Sequence, residues 1–302
     1  MDRTKRAGLI AAILLLAFAW SGCSRASGDR AIRVGSKNFT EQIVLGEIIA
    51  QHLEQTLHRK VDRSLNLGGT LLAHEALVRG DIDLYPEYTG TAVAAILKAP
   101  AGKTDPSAVR SQVRAEYLSR FHIEWLDPLG IDNGFAMVVR GDDARARHVE
   151  TLSDAARSPA GWKLGAGYEF EQRADGLAAL TNVYHLRFLS APKSMDLGLL
   201  YQALGQKQVD LIAANATDGL LSKLDLKVLA DDQHAFPPYE LCVAVRQDRL
   251  QEIPGLKAAL SELSGKFTNQ KMQQLNYRVD GEHRSAAEVA SEFLKEAGLA
   301  GR

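Results

Sequence analysis

Two stretches of this 302-residue chain share one pattern at a constant offset of 127 residues. In each stretch an Ala-Leu pair of helical character is followed, after a short turn, by an Asp-Leu pair that opens an apolar strand. The first stretch contains Ala76-Leu77, Asp83-Leu84 and Tyr88, and the second contains Ala203-Leu204, Asp210-Leu211 and Asn215. We interpret them as two similarly built halves whose strand ends, 88–91 and 215–218, face each other across a cleft.

Short apolar runs alternate with segments of helical period along the rest of the chain, which predicts an α/β protein with mostly parallel sheets. The first strand is expected at Ile32–Gly35, and the helix after it is expected to begin with a capping box of Asn38 and Glu41. The chain is longer than one compact core usually allows, so we expect two lobes. Further strands are predicted at Val61–Leu65, Ile82–Tyr85, Phe135–Val139, Lys163–Ala166, Val209–Ala213, Val228–Leu229 and Leu241–Val245.

The N-terminus has the layout of a secretory signal: three cationic residues, then an uncharged run that ends at Trp20, then Ser-Gly-Cys. The run is shorter than the roughly 20 residues that a helix needs to cross a bilayer. Residues 1–22 are therefore predicted to be a signal peptide and 23–30 a linker. Cys23 resembles the lipidated cysteine of a bacterial lipoprotein, with plain cleavage as the alternative. The mature chain is expected in the periplasm or on the outer face of the cytoplasmic membrane.

Composition and motifs argue against several other classes of protein. The formal net charge of −1 disfavours nucleic acid as a partner. Cys242 lies inside an apolar run, so we interpret it as a small buried hydrophobe and expect no disulfide. The sequence contains no HExxH, Walker A or GxSxG motif, so we expect no metal, no cofactor and no enzymatic activity. An enzyme or a sensory module on the same fold is the non-transport alternative.

Motifs along the chain resemble, in one consistent order, those of glycine betaine/choline-binding proteins of osmoprotectant ABC importers. The matching segments are 35–41 (GSKNFTE), 68–70 (GGT), 85–91 (YPEYTGT), 173–176 (RADG), 217–219 (TDG), 231–232 (DD), 236–239 (FPPY) and 275–277 (LNY). The resemblance implies a type II periplasmic binding protein fold, with two α/β lobes and a ligand cleft between them. Lobe 1 would hold residues 31–133 plus 240–302, and lobe 2 residues 134–239.

The resemblance also implies a cage for a quaternary ammonium group. Such a group has no N–H to donate, so dispersion and the negative faces of aromatic rings must hold it. The matching cage positions are Tyr88, Phe135, Asn215 and Tyr239. Because Asn215 has no ring, we expect a loss of about 2- to 30-fold in affinity unless another ring replaces it. The candidates for that replacement are Tyr85, Tyr168, Phe170 and Phe236.

A betaine also carries a carboxylate, for which Lys37 and Arg173 are the matching cations. Lys37 precedes a helix N-terminus, where free N–H groups favour an anion, and Arg173 offers a bidentate fork. Thr91 is expected to add a hydroxyl donor. Asp218 is a further candidate that would balance the ligand's cation or pair with Arg173, while capping of a helix is its alternative role.

These residues together predict an extracytoplasmic solute-binding protein. It would capture a quaternary-ammonium compound, glycine betaine or similar, and deliver it to an ABC transporter permease and its ATPase. Larger trimethylammonium betaines, such as ergothioneine and carnitine, and choline are the alternative ligands. The resemblance implies that binding closes the two lobes on the ligand.

Overall fold

A computed structural model describes residues 30–99 and 105–300 of the chain. The chain divides into Met1–Arg30 and Ala31–Arg302, and the fold below belongs to the second unit. The predicted signal peptide and Cys23 lie outside the described residues. Within the described ranges, no helix is both long and apolar enough to cross a membrane.

Strands and helices are interspersed along the described chain, and four successive helices follow the last strand. The strands are β1 (Ile32–Gly35), β2 (Val61–Ser64), β3 (Leu84–Tyr88), β4 (Ile123–Trp125), β5 (Phe135–Arg140), β6 (Leu164–Ala166), β7 (Lys193–Ser194), β8 (Leu211–Asn215), β9 (Leu226–Val228) and β10 (Leu241–Arg246). The helices are α1 (Thr40–Leu57), α2 (Thr70–Arg79), α3 (Thr89–Thr91), α4 (Pro106–Phe121), α5 (Gly141–Arg147), α6 (Leu152–Arg157), α7 (Tyr168–Gln172), α8 (Ala179–Tyr184), α9 (Leu200–Gly205), α10 (Gln247–Glu252), α11 (Leu256–Ser261), α12 (Asn269–Asp280) and α13 (Ala286–Glu296). Short π- or 3₁₀-helical turns span Ala92–Leu97, Ala174–Ala178, Leu197–Leu199 and Gly219–Ser222.

The strands form two five-stranded sheets, with orders β2-β1-β3-β10-β4 and β7-β6-β8-β5-β9. We call the parts of the chain around the first and second sheet lobe 1 and lobe 2. In lobe 1, β1 pairs in parallel with β2 and β3, whereas β10 runs antiparallel to β3 and β4. Lobe 2 repeats this plan, with β5 as its antiparallel strand. The two-lobed α/β fold is confirmed. In each sheet four strands run in one direction, as expected of mostly parallel sheets, and only the strand that arrives from the other lobe, β10 or β5, runs against them.

The repeat seen in the sequence occupies equivalent places in the two sheets. β3 and β8 have bounds that differ by the same offset, and each is the third strand of its sheet. Each is also the partner of the antiparallel strand, so Tyr88 pairs with Leu241 and Asn215 with Phe135. The pattern therefore reflects two lobes of like topology.

β3 extends further than predicted, through Pro86 to Tyr88. A proline normally argues against a central strand because it lacks an N–H. Here β1 pairs with β3 only at Val34 and Leu84, before Pro86 is reached. The missing N–H of Pro86 therefore costs no hydrogen bond to β1. Tyr88 consequently ends a buried strand.

α1 begins without the capping box that we expected from Asn38 and Glu41. Its N-cap residue is Phe39, which makes no side-chain cap hydrogen bond. The Glu41 carboxylate accepts hydrogen bonds from Tyr88 and Asn133 instead. The capping prediction is wrong because these tertiary donors take the carboxylate away from the local backbone.

The central strands are buried on both faces. In β10, Leu241 and Val243 belong to one apolar core of lobe 1, whereas Cys242 and Ala244 belong to the core on the opposite face. This alternation is the period-two geometry of a strand, and the continuous apolar run is typical of a strand covered on both sides. Burial raises the pKa of the Cys242 thiol to about 12, so the thiol is neutral.

The chain passes between the lobes twice, before β5 and before β10, and the two passages lie side by side. Asp132 and Glu240 form an antiparallel bridge, and the Leu241 N–H donates to the Ile131 carbonyl at 2.9 Å. The Tyr239 N–H donates to the Asp132 carboxylate at 3.0 Å. These contacts place the residues that follow each passage at the boundary between the lobes.

Candidate functional site

A cavity of about 660 Å³ lies between the two sheets and takes its lining from both lobes. All of the residues predicted to bind ligand contribute to that lining. They are Lys37, Tyr88, Thr91, Phe135, Arg173, Asn215, Asp218 and Tyr239. The structure therefore brings the set together, and their individual roles in binding stay predictions.

Aromatic rings cluster on one side of the cavity around Phe135. Its ring packs edge-on against Phe170 with 4.9 Å between centroids, and against Tyr239 with 5.8 Å. On the lobe 1 side, Tyr88 stacks with Phe39 at 6.4 Å. Of the proposed replacement rings, Tyr168 and Phe170 line the cavity, and Phe170 lies within the aromatic cluster.

Arg173 covers this cluster but already has a carboxylate partner. The centre of its guanidinium lies 5.1 Å from the Phe135 ring centroid and 6.0 Å from that of Tyr239. Two of its nitrogens donate to the buried carboxylate of Asp175 at 2.9 and 2.5 Å. Burial opposes the charge of Arg173, yet the Asp175 carboxylate raises its pKa overall. Arg173 is thus a fixed, neutralised cation above two aromatic rings.

Lys37 is arranged in the same way in lobe 1. Its Nζ donates to Glu87 Oε1 at 2.6 Å, and both side chains are almost wholly buried. The same Nζ lies 4.6 Å from the centroid of the Tyr88 ring. Both cations that we expected to receive a ligand carboxylate therefore already have a buried counter-ion.

Two acidic side chains in the cavity, unlike these two cations, have no counter-ion among the described residues. Glu41 accepts hydrogen bonds from the Tyr88 hydroxyl at 2.5 Å, from the Asn133 amide at 2.9 Å and from the Thr217 hydroxyl. Burial raises the pKa of Glu41 in spite of these donors. Burial likewise raises the pKa of Asp218, to about 6. Within the described ranges, no cationic side chain lies at ion-pair distance from either one.

The Asp218 carboxylate is held by its own lobe. The Asn215 N–H donates to Oδ2 at 3.1 Å, and the Asn215 side-chain amide donates to Oδ1 at 3.3 Å. The Tyr201 hydroxyl, from α9, donates to Oδ2 at 2.9 Å. Asn215 therefore orients an acid where a ring was expected, and Tyr201 supplies an aromatic ring to the lining next to it.

Sequence reasoning missed several lining residues. Glu41 was assigned to a helix cap, and Asn133, Tyr201 and Glu169 were not singled out at all. The one available signal was that the matching motif 35–41 ends on Glu41. The other three residues reach the cavity only through the packing of elements distant in sequence.

Comparison with known proteins identifies the family. Residues 30–296 match the family described as the substrate binding domain of ABC-type glycine betaine transport system. The chain belongs to this family. The resemblance inferred from its motifs is thereby confirmed, and the chain is a substrate-binding protein of an ABC transport system. Proteins of this kind that serve importers work outside the cytoplasm.

Individual members of the family differ in the ligand that they are named for. A Helicobacter pylori ergothioneine transport permease/ergothioneine binding protein is 33% identical over 95% of this chain, which spans 51% of that relative, about half its length. A Listeria monocytogenes carnitine transport binding protein is also 33% identical, over 95% of this chain and 93% of its own. A solved structure of a glycine betaine/carnitine/choline ABC transporter is 31% identical and covers 89% of this chain and 99% of its own, with a TM-score of 0.74.

Proposed function

We propose that the chain captures a quaternary-ammonium compound, with glycine betaine as the first candidate, and delivers it to an ABC transporter permease. One observation carries this proposal: Glu41 is a buried acid and Asp218 a partly buried one, neither has a cationic partner among the described residues, and both share one cavity with an aromatic cluster. A buried carboxylate gains from a nearby cation, and aromatic faces favour a cation covered by methyl groups.

The hydrogen bonds of these acids favour a quaternary ligand over a primary amine. Glu41 and Asp218 each accept several hydrogen bonds from protein donors, so what they lack is charge, not another N–H. A trimethylammonium group supplies charge and adds no donor that must be satisfied. The site thus matches a methylated cation.

A larger betaine is the second candidate, and the cavity volume of about 660 Å³ supports it. Pockets of this size accommodate ligands well beyond a few heavy atoms. The relatives named for ergothioneine and carnitine support the same class. Choline is a further candidate, because Lys37 and Arg173 are already neutralised and do not require a carboxylate on the ligand.

The proposal extends to the rest of the chain. The lobes would have the boundaries expected from the sequence, 31–133 plus 240–302 and 134–239. Cys23 would carry a lipid that tethers the mature protein to the membrane. The chain would bind without catalysis, and the buried, neutral thiol of Cys242 supports that part.

Calorimetry on the ligand-free mature protein tests the ligand class. The ligands are glycine betaine, choline, carnitine and ergothioneine, together with 3,3-dimethylbutanoate, which has the shape of glycine betaine but a neutral carbon in place of nitrogen. We expect binding of at least one trimethylammonium compound and none of 3,3-dimethylbutanoate, which keeps the carboxylate but lacks the cationic centre. Failure of every trimethylammonium compound to bind, or equal binding of the isostere, would overturn the proposal.

A pair of matched variants tests the aromatic cluster. Phe135→Leu keeps an apolar side chain but removes the ring, and we expect it to weaken trimethylammonium binding by about 3- to 30-fold. Phe121→Leu is the control, because Phe121 is also half-buried but packs with His74 and Tyr117 away from the cavity. Equal affinities of the two variants would contradict a role for the Phe135 ring.

A further inference from the structure

Helix α2 of lobe 1 begins without a cap from its own neighbourhood. Its N-cap residue is Gly69, which has no side chain to accept a hydrogen bond. The first N–H groups of a helix have no partner within the helix and usually need a side-chain acceptor. The start of α2 thus needs an acceptor from elsewhere.

That acceptor comes from the other lobe. Glu169, on α7 of lobe 2, accepts from the Thr70 N–H at 2.5 Å and from the Thr70 hydroxyl at 3.1 Å. A β-carbon on Gly69 would lie 2.5 Å from Glu169 Oε1, so the glycine is what allows the carboxylate to approach. One side chain of lobe 2 therefore caps a helix of lobe 1 across the cleft.

The cavity cations lie on either side of this contact. Lys37 Nζ, from lobe 1, is 3.4 Å from the Thr70 hydroxyl, and an Arg173 nitrogen, from lobe 2, is 3.4 Å from Glu169 Oε2. Burial raises the pKa of Glu169, but the charge of Lys37 and the Thr70 N–H lower it overall, so the carboxylate is ionised. The carboxylate in this contact is thus charged. The contact is made only when the two lobes lie close together.

The Glu169–Thr70 contact and the cavity are present in the same structure. Glu169 and Gly69 both belong to the lining, which still encloses about 660 Å³. A ligand of the proposed class can therefore occupy the cavity while the cap is made. Separation of the lobes would leave the Thr70 N–H and the Glu169 carboxylate without each other.

We propose that Glu169 is a positioning residue for ligand retention, whose carboxylate ties lobe 2 to the N-terminus of α2 over the occupied cavity. This inference rests on the proposed function, since it concerns release of the captured ligand. We expect its main effect on the dissociation rate, because a ligand enters while the lobes are apart and the cap opposes their separation once it is made.

The test compares Glu169→Gln and Glu169→Ala with Glu171→Gln. Glu171 lies on the same helix, but its carboxylate accepts from Ser194 within lobe 2. Stopped-flow measurements with choline and with glycine betaine would give association and dissociation rates. We expect Glu169→Gln to raise the dissociation rate by about 3- to 10-fold and Glu169→Ala by more, with association unchanged, since Glu169 is partly solvent-exposed and its contact is screened.

The control should match the wild type in both rates, and thermal denaturation of ligand-free protein should be alike for all variants. A Glu169→Gln dissociation rate equal to that of Glu171→Gln would overturn the inference. So would tighter binding of glycine betaine by Glu169→Gln, because that result would mean that Glu169 competes with the ligand carboxylate. Failure of the wild type to bind either ligand would instead refute those ligand assignments, which keeps the two failures distinct.

Discussion

At the scale of single residues, the charged side chains around the cavity are of two kinds: some have a buried counter-ion and others have none among the described residues. Lys37 and Arg173 are buried together with Glu87 and Asp175, so each forms a neutral pair. Asp218 is held by hydrogen bonds alone, and burial raises its pKa. Since a carboxylate away from water and without a counter-ion is less favourable than one beside a cation, both Glu41 and Asp218 gain from a cationic ligand.

The pH dependence of binding follows from the pKa of Asp218, about 6 in the ligand-free protein. A bound cation favours the ionised carboxylate, so ligand affinity should rise with pH through about 6 and level off above it. Between pH 7 and pH 5 we expect a fall of up to about tenfold in the affinity for choline, whose own charge does not change. Calorimetry from pH 5 to pH 8 measures this fall.

Asp218→Asn provides the control for that profile. The variant should bind choline more weakly at pH 7, and its affinity should depend less on pH. The groups that face Asp218 are the Tyr201 hydroxyl, the Asn215 amide and, at longer range, Glu41. Any slope that remains in the variant is expected from Glu41, whose pKa burial also raises. An unchanged profile in Asp218→Asn would contradict the assignment.

At the scale of secondary-structure elements, the loop after β8 packs directly on α12 of the other lobe. The Gln273 amide donates to the Ala216 carbonyl, and the Asn276 amide donates to the Thr217 carbonyl, both at 2.9 Å. Gly219 completes the contact, because its backbone lies against that of Tyr277. This loop also contains Asp218, so its position on α12 helps to set the position of the acid.

Gly219→Ala tests this packing. The added β-carbon would lie 2.5 Å from the Tyr277 nitrogen and 2.7 Å from its Cα, which are backbone atoms that cannot turn away. We expect the free energy of unfolding to fall by about 1–3 kcal/mol in urea denaturation, and choline affinity to fall as well. Gly205→Ala is the control: a β-carbon there meets no atom within 4 Å, so its effect should stay within about 1 kcal/mol.

At the scale of the whole molecule, hydrogen bonds join the two lobes near the passages and also at the start of α2. Near the passages between lobes, Glu41 of lobe 1 accepts from Thr217 of lobe 2, while α12 holds the loop that follows β8. At the other place, Thr70 of lobe 1 donates to Glu169 of lobe 2. A ligand favours this arrangement only through contacts that it makes in the closed form and lacks in the open form.

Small-angle X-ray scattering measures the resulting change. We expect the radius of gyration of the mature protein to decrease on saturation with a trimethylammonium ligand, because the aromatic cluster and the acids that would contact it come from both lobes. A saturating ligand that leaves the scattering curve as expanded as before would contradict closure. The isostere without the cationic centre, 3,3-dimethylbutanoate, is the control and should leave the curve unchanged.

The sequence by itself determined the α/β class, the two similarly built lobes and a set of residues that the structure places around one cavity. These features depend on local periodicity, on an internal repeat and on the order of short motifs, all of which can be read without knowing the packing. It did not predict the extent of β3, because whether a proline is tolerated depends on how far the neighbouring strand's ladder reaches.

Only the tertiary structure decided which charges are paired. Lys37 donates to Glu87, and Thr70 donates to Glu169. The partners are far apart in sequence, so no local pattern reveals either contact. The spacing of Glu41 predicts a helix cap. Its carboxylate instead accepts hydrogen bonds from three residues distant in sequence and lines the cavity. The free energy of a buried charge depends on all of its neighbours at once, and those neighbours are set by the fold.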